Sequence, residues 1–151
     1  MRHLVWRRLD APGMEIAHVE SLEKAYGTQI GVSYELRWRL DGPTLELEIV
    51  GGEGATVELE DADFFDVFAS PFFNSLPVLR DGLLDGGDAR TYTMRFVKVP
   101  SLEVVRSEQT YEPLGRRVVR YSSNSFTAAI SFDEHGFVTM YEGFLARVET
   151  S

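Results

Sequence analysis

Cysteine is missing from all 151 residues, and that one absence removes disulfides, thiolate metal sites and cysteine nucleophiles together. Histidine occurs only as His3, His18 and His135, with no H-x-H or H-x-x-x-H spacing. A zinc site needs three or four converging ligands, so no metal is expected. No apolar run is long enough for a signal peptide or a bilayer span; the expectation is a cytoplasmic protein with no membrane insertion. Positive charge is scarce as well. Fifteen Lys and Arg against 24 Asp and Glu leave a net charge of −9, a balance that repels phosphate backbones and argues against a nucleic-acid partner.

The usual catalytic signatures are lacking too. There is no G-x-S-x-G elbow, and "GGEG" (51–54) and "DGGD" (85–88) lack the Lys-Ser/Thr ending of a phosphate-binding loop. Asp61, Asp63 and Asp66 invite a calcium reading, but an EF-hand loop needs glycine sixth and a carboxylate twelfth, and here Asp66 and Phe72 stand there. No pair of carboxylates is singled out for sugar hydrolysis. No catalytic residue is nominated and no cofactor is expected.

What is abundant is alternation. Hydrophobic residues make up 44% of the chain and aromatics 12%, as in a globular protein. "QIGVSYELRWRL" puts Ile30, Val32, Tyr34, Leu36, Trp38 and Leu40 on one face and Gln29, Ser33, Glu35, Arg37 and Arg39 on the other, which predicts one long half-buried strand. "TLELEIV" and "TVELE" continue it as an antiparallel meander through the turns at "DGP" and "GGEG". "ARTYTMRFVKV", "LEVVRSEQTYEP", "RRVVRYSS", "SFTAAISFD" and "FVTMYEGFLARVE" repeat the manner, and "HLVWRRL" and "MEIAHVESLEK" add two strands at the start. That makes nine or ten short strands.

Only about 61–84 escapes period two. "DADFFDVF" carries carboxylates where a helix start favours them, Ser70-Pro71 reads as an N-cap and first-turn pair, and Pro77 reads as a stop. The expected fold is mainly β: residues 1–151 as one β-barrel-like domain, a single antiparallel, strongly curved sheet or incomplete barrel, with one or two short helical turns in 61–80. Phe64, Phe65, Phe68, Phe72 and Phe73 then either complete the core or form a lid over an apolar pocket, with Asn74 and Arg80 at its mouth.

These residues carry a resemblance. "RHLVWRRLDAPGMEIAHVE", "SPFFNSLPVLR", and "VPSLEVVRSEQTYEPLGRRVVRYSS" followed by "FTAAISFDEHGFVTMYEGFLARV" resemble, in order, the "putative glycolipid-binding" proteins of bacteria. Ser70 and Phe73 stand where that family shows threonines, Leu79 where it shows arginine, and Glu142 where its closing motif has proline. The resemblance implies a curved, incomplete barrel similar to the bacterial carriers that hold lipoprotein acyl chains in an apolar concavity. It nominates Trp6, Arg8, Phe72, Asn74, Arg80, Tyr121 and Tyr141 as ligand-binding residues, and a small amphipathic ligand, a glycolipid or acyl compound, as the partner. Two alternatives stay open. One is a small enzyme acting on a lipid or sugar derivative, with His3 or His18 as base and Asn74 and Arg80 stabilising an anion. The other is a non-catalytic, homodimeric interaction module whose core is filled.

Overall fold

The computed structural model describes residues 1–148. Thirteen strands lie in one sheet: β1 (Arg2–Arg8), β2 (Met14–Ser21), β3 (Lys24–Ile30), β4 (Glu35–Asp41), β5 (Thr44–Ile49), β6 (Gly54–Glu58), β7 (Phe64–Val67), β8 (Arg90–Val97), β9 (Val104–Gly115), β10 (Val118–Ser123), β11 (Phe126–Phe132), β12 (Val138–Tyr141) and β13 (Leu145–Arg147). One helix, α1 (Phe72–Arg80), and a 3₁₀ turn at Leu83–Asp85 interrupt them. The sheet order is β6-β5-β4-β3-β2-β1-β13-β12-β11-β10-β9-β8-β7.

That order dictates the curvature. Strands β6 and β7 are consecutive in sequence yet form opposite edges of the sheet. Laid flat, thirteen strands would span about 55–60 Å. The chain from Glu58 to Phe64 can bridge at most roughly 20 Å. The sheet must therefore roll until its edges approach, and it does so without the two edge strands pairing, so it is not a closed barrel.

The alternating apolar residues line the inside of this roll. Leu36, Trp38 and Leu40 of β4, Leu45 and Leu47 of β5, and Val57 of β6 are all buried, as their spacing predicts. The expected long strand from Gln29 to Leu40 is instead two. A turn closed by the Gly31 N–H on the Tyr34 carbonyl separates β3 from β4. The interruption reverses the faces before it: Gln29 is buried and Ile30 and Val32 are exposed.

The segment 61–80 departs further from expectation. Residues Phe64–Val67 are not a helix start but a strand, and β7 runs parallel to β8, so the sheet is mixed rather than purely antiparallel. A parallel neighbour requires a crossover, and α1 together with the 3₁₀ turn supplies it. The helix is nine residues long, and Phe72 through Val78 are buried without a break. A helix buried on all sides sits inside a core rather than on it. Here it fills the roll, with Trp38 stacked against Phe72 (centroids 5.6 Å apart) and tilted against Phe73 (4.9 Å). Each such aromatic contributes about 1.5–3 kcal/mol by leaving water. Pro77 does not stop the helix but lies within it. Ser70 does not cap it either: the N-cap is Pro71, with no side-chain cap, because the Ser70 hydroxyl is committed to Glu15 at 2.9 Å.

Candidate functional site

Between the turn that leads into α1 and the C-terminal half of the sheet lies a cavity of about 490 Å³. Its floor comes from the β7–α1 segment, through Asp66, Ser70 and Asn74. Its walls are largely aromatic, with Phe68, Tyr121, Tyr141 and Phe144 prominent among them. The strand registers create this wall. Tyr111 of β9 is the direct cross-strand neighbour of Tyr121 of β10, and Tyr141 faces Ile130 of β11. Ring contacts then run continuously from Tyr92 through Tyr111, Tyr121 and Tyr141 to Phe144 and Phe68, with centroids 5.1–6.0 Å apart. Aromatic pairs at such separations add stabilisation beyond the area they bury.

Two buried polar networks flank the cavity. In the first, the Asp66 carboxylate accepts from Gln109 Nε2 at 2.7 Å, Tyr111 donates to Gln109 Oε1 at 3.3 Å, and Asn74 Nδ2 donates to the Tyr111 hydroxyl at 3.1 Å. Burial pushes the Asp66 carboxyl up to about 7, against the pull of its Gln109 hydrogen bond. Burial likewise raises the Tyr111 hydroxyl. In the second network, Glu15 accepts from Trp38 Nε1 at 2.7 Å, from Ser70 Oγ at 2.9 Å and from Gln29 Nε2 at 3.1 Å. Gln29 Nε2 also reaches the Phe68 carbonyl at 2.8 Å, and Tyr34 donates to Gln29 Oε1. Glu15 is fully buried, which pushes its carboxyl up to about 8. Asp66, Ser70 and Asn74 recur every four residues, so one short segment ties both networks to the cavity floor.

The nominated residues divide. Asn74, Tyr121 and Tyr141 line the cavity together. Arg8 stands beside it: its guanidinium holds Asp10 through two bonds of 2.7 and 2.9 Å and lies 5.1 Å from the Phe68 ring centre and 4.8 Å from that of Phe144. Trp6 is wholly buried and donates its indole N–H to the Val138 carbonyl at 2.8 Å, tying β1 to β12 across the intervening β13. Phe72 is core under Trp38. Arg80 belongs to a second hollow of about 440 Å³, with Leu22, Leu40, Leu59 and Phe64, where it pairs with Asp81 at 3.2 Å and lies 4.3 Å over the Phe64 ring. A third hollow, of about 610 Å³, is on the solvent face of β3–β6 and is walled by charged side chains such as Arg37, Arg39, Glu46 and Glu48.

Gln109 and Glu15 escape the sequence reading, and Asp66 enters it only as a rejected calcium ligand and as helix-start charge. Each is a polar residue on the inward side of a strand, and the pattern around Asp66, "FFDVF", offers the only signal: a carboxylate flanked by phenylalanines. The histidines assemble elsewhere. His3 and His18 bond one another on β1 and β2 at 2.6 Å, and Asn74 bonds to Tyr111. Among the described residues, no group of three or more His, Asp or Glu side chains is arranged to hold a metal ion, and no helix is long and apolar enough to cross a membrane.

The sequence profile of the family described as "Putative glycolipid-binding" matches residues 48–147, more than half of the chain. In structure the chain is similar to a DUF1089 family protein from Pseudomonas aeruginosa, with a TM-score of 0.64 over 95% of this chain and 91% of that one, at 20% identity. At that identity the likeness is one of fold. No curated protein matches the chain.

Proposed function

We propose that this chain, which belongs to the family described as "Putative glycolipid-binding", is a non-catalytic binding protein for a small amphipathic ligand held in the 490 Å³ cavity. The observation that carries the reading is the composition of that cavity: aromatic walls over a floor of a few fixed polar groups, at a volume typical of small-molecule sites. An apolar body gains about 0.8 kcal/mol for each CH₂ it removes from water against such walls. Asn74 and Asp66, fixed by Tyr111 and Gln109, orient the polar end, and Tyr121 and Tyr141 close around it. A sugar meets these requirements, because its hydroxyls donate to carboxylate and phenolic oxygens. A module with a filled core would have no such space.

The test is native mass spectrometry of the purified protein, then denaturing extraction and lipid analysis, followed by incubation of emptied protein with a panel of glycolipids and acyl compounds. A stoichiometric adduct that disappears in Leu145→Trp, whose added bulk enters the cavity, supports the reading. An adduct that persists unchanged in that variant places the ligand elsewhere. No adduct from any source sinks the proposal.

A further inference from the structure

The acidic and basic side chains that line the cavity are all of one sign. Three ionisable carboxyl groups line it, from Asp10, Asp66 and Glu142, and no Lys or Arg does. The nearest cation, Arg8, is already spent on Asp10, whose carboxyl it holds below the ordinary carboxylate value. Asp66 has no such neutraliser. It is 7% exposed, and its hydrogen bonds come from the Gln109 amide and the Val67 backbone N–H, both uncharged. The groups that face it from β9, β10 and β12 are Tyr111, Tyr121 and Tyr141, uncharged as well. Tyr141, also 7% exposed, has no hydrogen-bond partner for its hydroxyl among the described residues, although it lines the cavity. A carboxylate taken this far out of water is expensive until a cation meets it.

The walls suit that cation. Aromatic faces attract ammonium groups, and rings grouped around a site are how quaternary ammonium ligands are recognised. The protein already uses this arrangement next door, where Arg8 lies against Phe68 and Phe144 with Asp10 as its counter-ion. We propose that the ligand carries an organic ammonium group, seated on Asp66 between Tyr121 and Tyr141, with its apolar body along the remaining aromatic wall. This rests on the reading of the cavity as a ligand site. It names the head group: an amine or amino sugar on an apolar chain, in preference to a carboxylate, sulfate or phosphate.

Calorimetric titration with four short amphiphiles below their micellar range tests it: octylamine, octyltrimethylammonium, octanoate and octyl glucoside at pH 8. The expected result is that both cations bind at least tenfold more tightly than octanoate and octyl glucoside, and that Asp66→Asn erases this preference by weakening the cations at least tenfold while octyl glucoside changes by much less. On the native sequence, octylamine should weaken roughly tenfold between pH 8 and pH 6 as Asp66 takes up its proton, and octyl glucoside should not. Octanoate or octyl glucoside binding as tightly as the amines, or amine affinity that ignores both pH and Asp66→Asn, overturns the ammonium assignment and leaves the cavity as a ligand site. If none of the four binds, both the assignment and the cavity reading fall.

Discussion

The indole N–H of Trp38 meets Glu15 Oε1 at 2.7 Å, linking β4 to β2 across β3, and neither side chain is more than 2% exposed. The same indole lies over Gly27 on the intervening strand and against Phe72 and Phe73 of the central helix. One aromatic residue thus connects three strands, the helix and a buried acid.

That acid makes stability depend on pH. Glu15 has an ordinary value of 4.5 and is pushed up to about 8 by burial; Asp66 goes from 3.8 to about 7 for the same reason. Between each pair of values the folded chain holds a proton that the unfolded chain has lost, so unfolding free energy falls as pH rises, by up to about 1.4 kcal/mol per pH unit for each group. Asp10 and Asp81, bonded to Arg8 and Arg80, are held low and act in the opposite direction at acid pH. Urea denaturation from pH 5 to pH 8 should therefore show declining stability, with a shallower decline in Glu15→Gln. A native protein whose stability is flat or rising across that range contradicts this account.

Gly27 is the position where the Trp38 ring leaves no room. A Cβ there would stand 2.5 Å from the indole carbons. Gly27→Ala must push Trp38 off Glu15 or bend β3, at a cost of about 1–3 kcal/mol as for other overpacked cores. Thermal unfolding should show a lowered Tm, with a red-shifted tryptophan fluorescence as the indole leaves its dry site. A variant as stable as the parent would show that the indole has freedom to move that its contacts do not suggest.

Ser75 presents the reverse case. Its hydroxyl is fully buried in α1 and has no hydrogen-bond partner. An unsatisfied buried polar group costs about 1–3 kcal/mol, and alanine is the better helix former. Ser75→Ala should be stabilising by about 1 kcal/mol in denaturant titration. Destabilisation would mean that the hydroxyl has a partner, such as a bound water.

The sequence made the strands legible wherever one face is uniformly apolar. Leu36, Trp38, Leu40, Leu45, Leu47 and Val57 announce their burial through spacing alone, because a half-buried strand needs nothing else. It hid the site for the same reason. Glu15, Gln29, Asp66 and Gln109 occupy inward positions as polar residues, and period two assigns such residues to solvent. Only the tertiary fold satisfies them, by bringing Ser70 and the Phe68 carbonyl to Gln29, Ser70 to Glu15, and Gln109 to Asp66. The proline misleads as to where the helix ends. Pro77 does lack an N–H, but the packing of Phe72, Phe73, Leu76 and Val78 inside the roll holds the helix through it. Of the nominated site residues, Asn74, Tyr121 and Tyr141 share a cavity, whereas Arg80 is separated from them because α1 carries its two ends to different hollows.

The pairing of β1 with β13 bears on how the chain assembles. Every other neighbouring pair in the sheet joins strands consecutive in sequence, and all of those but the parallel β7–β8 pair are antiparallel. Two meanders, β1–β6 and β8–β13, can thus zip up from local hairpins, where loop closure is cheap. Among the strand pairings only the seam between them joins segments far apart in sequence, and its Trp6–Val138 bond spans 132 residues. Docking of two preformed halves along that seam is therefore the slow, topologically demanding event, and side chains such as Trp6 and Leu145 would be the last to leave water.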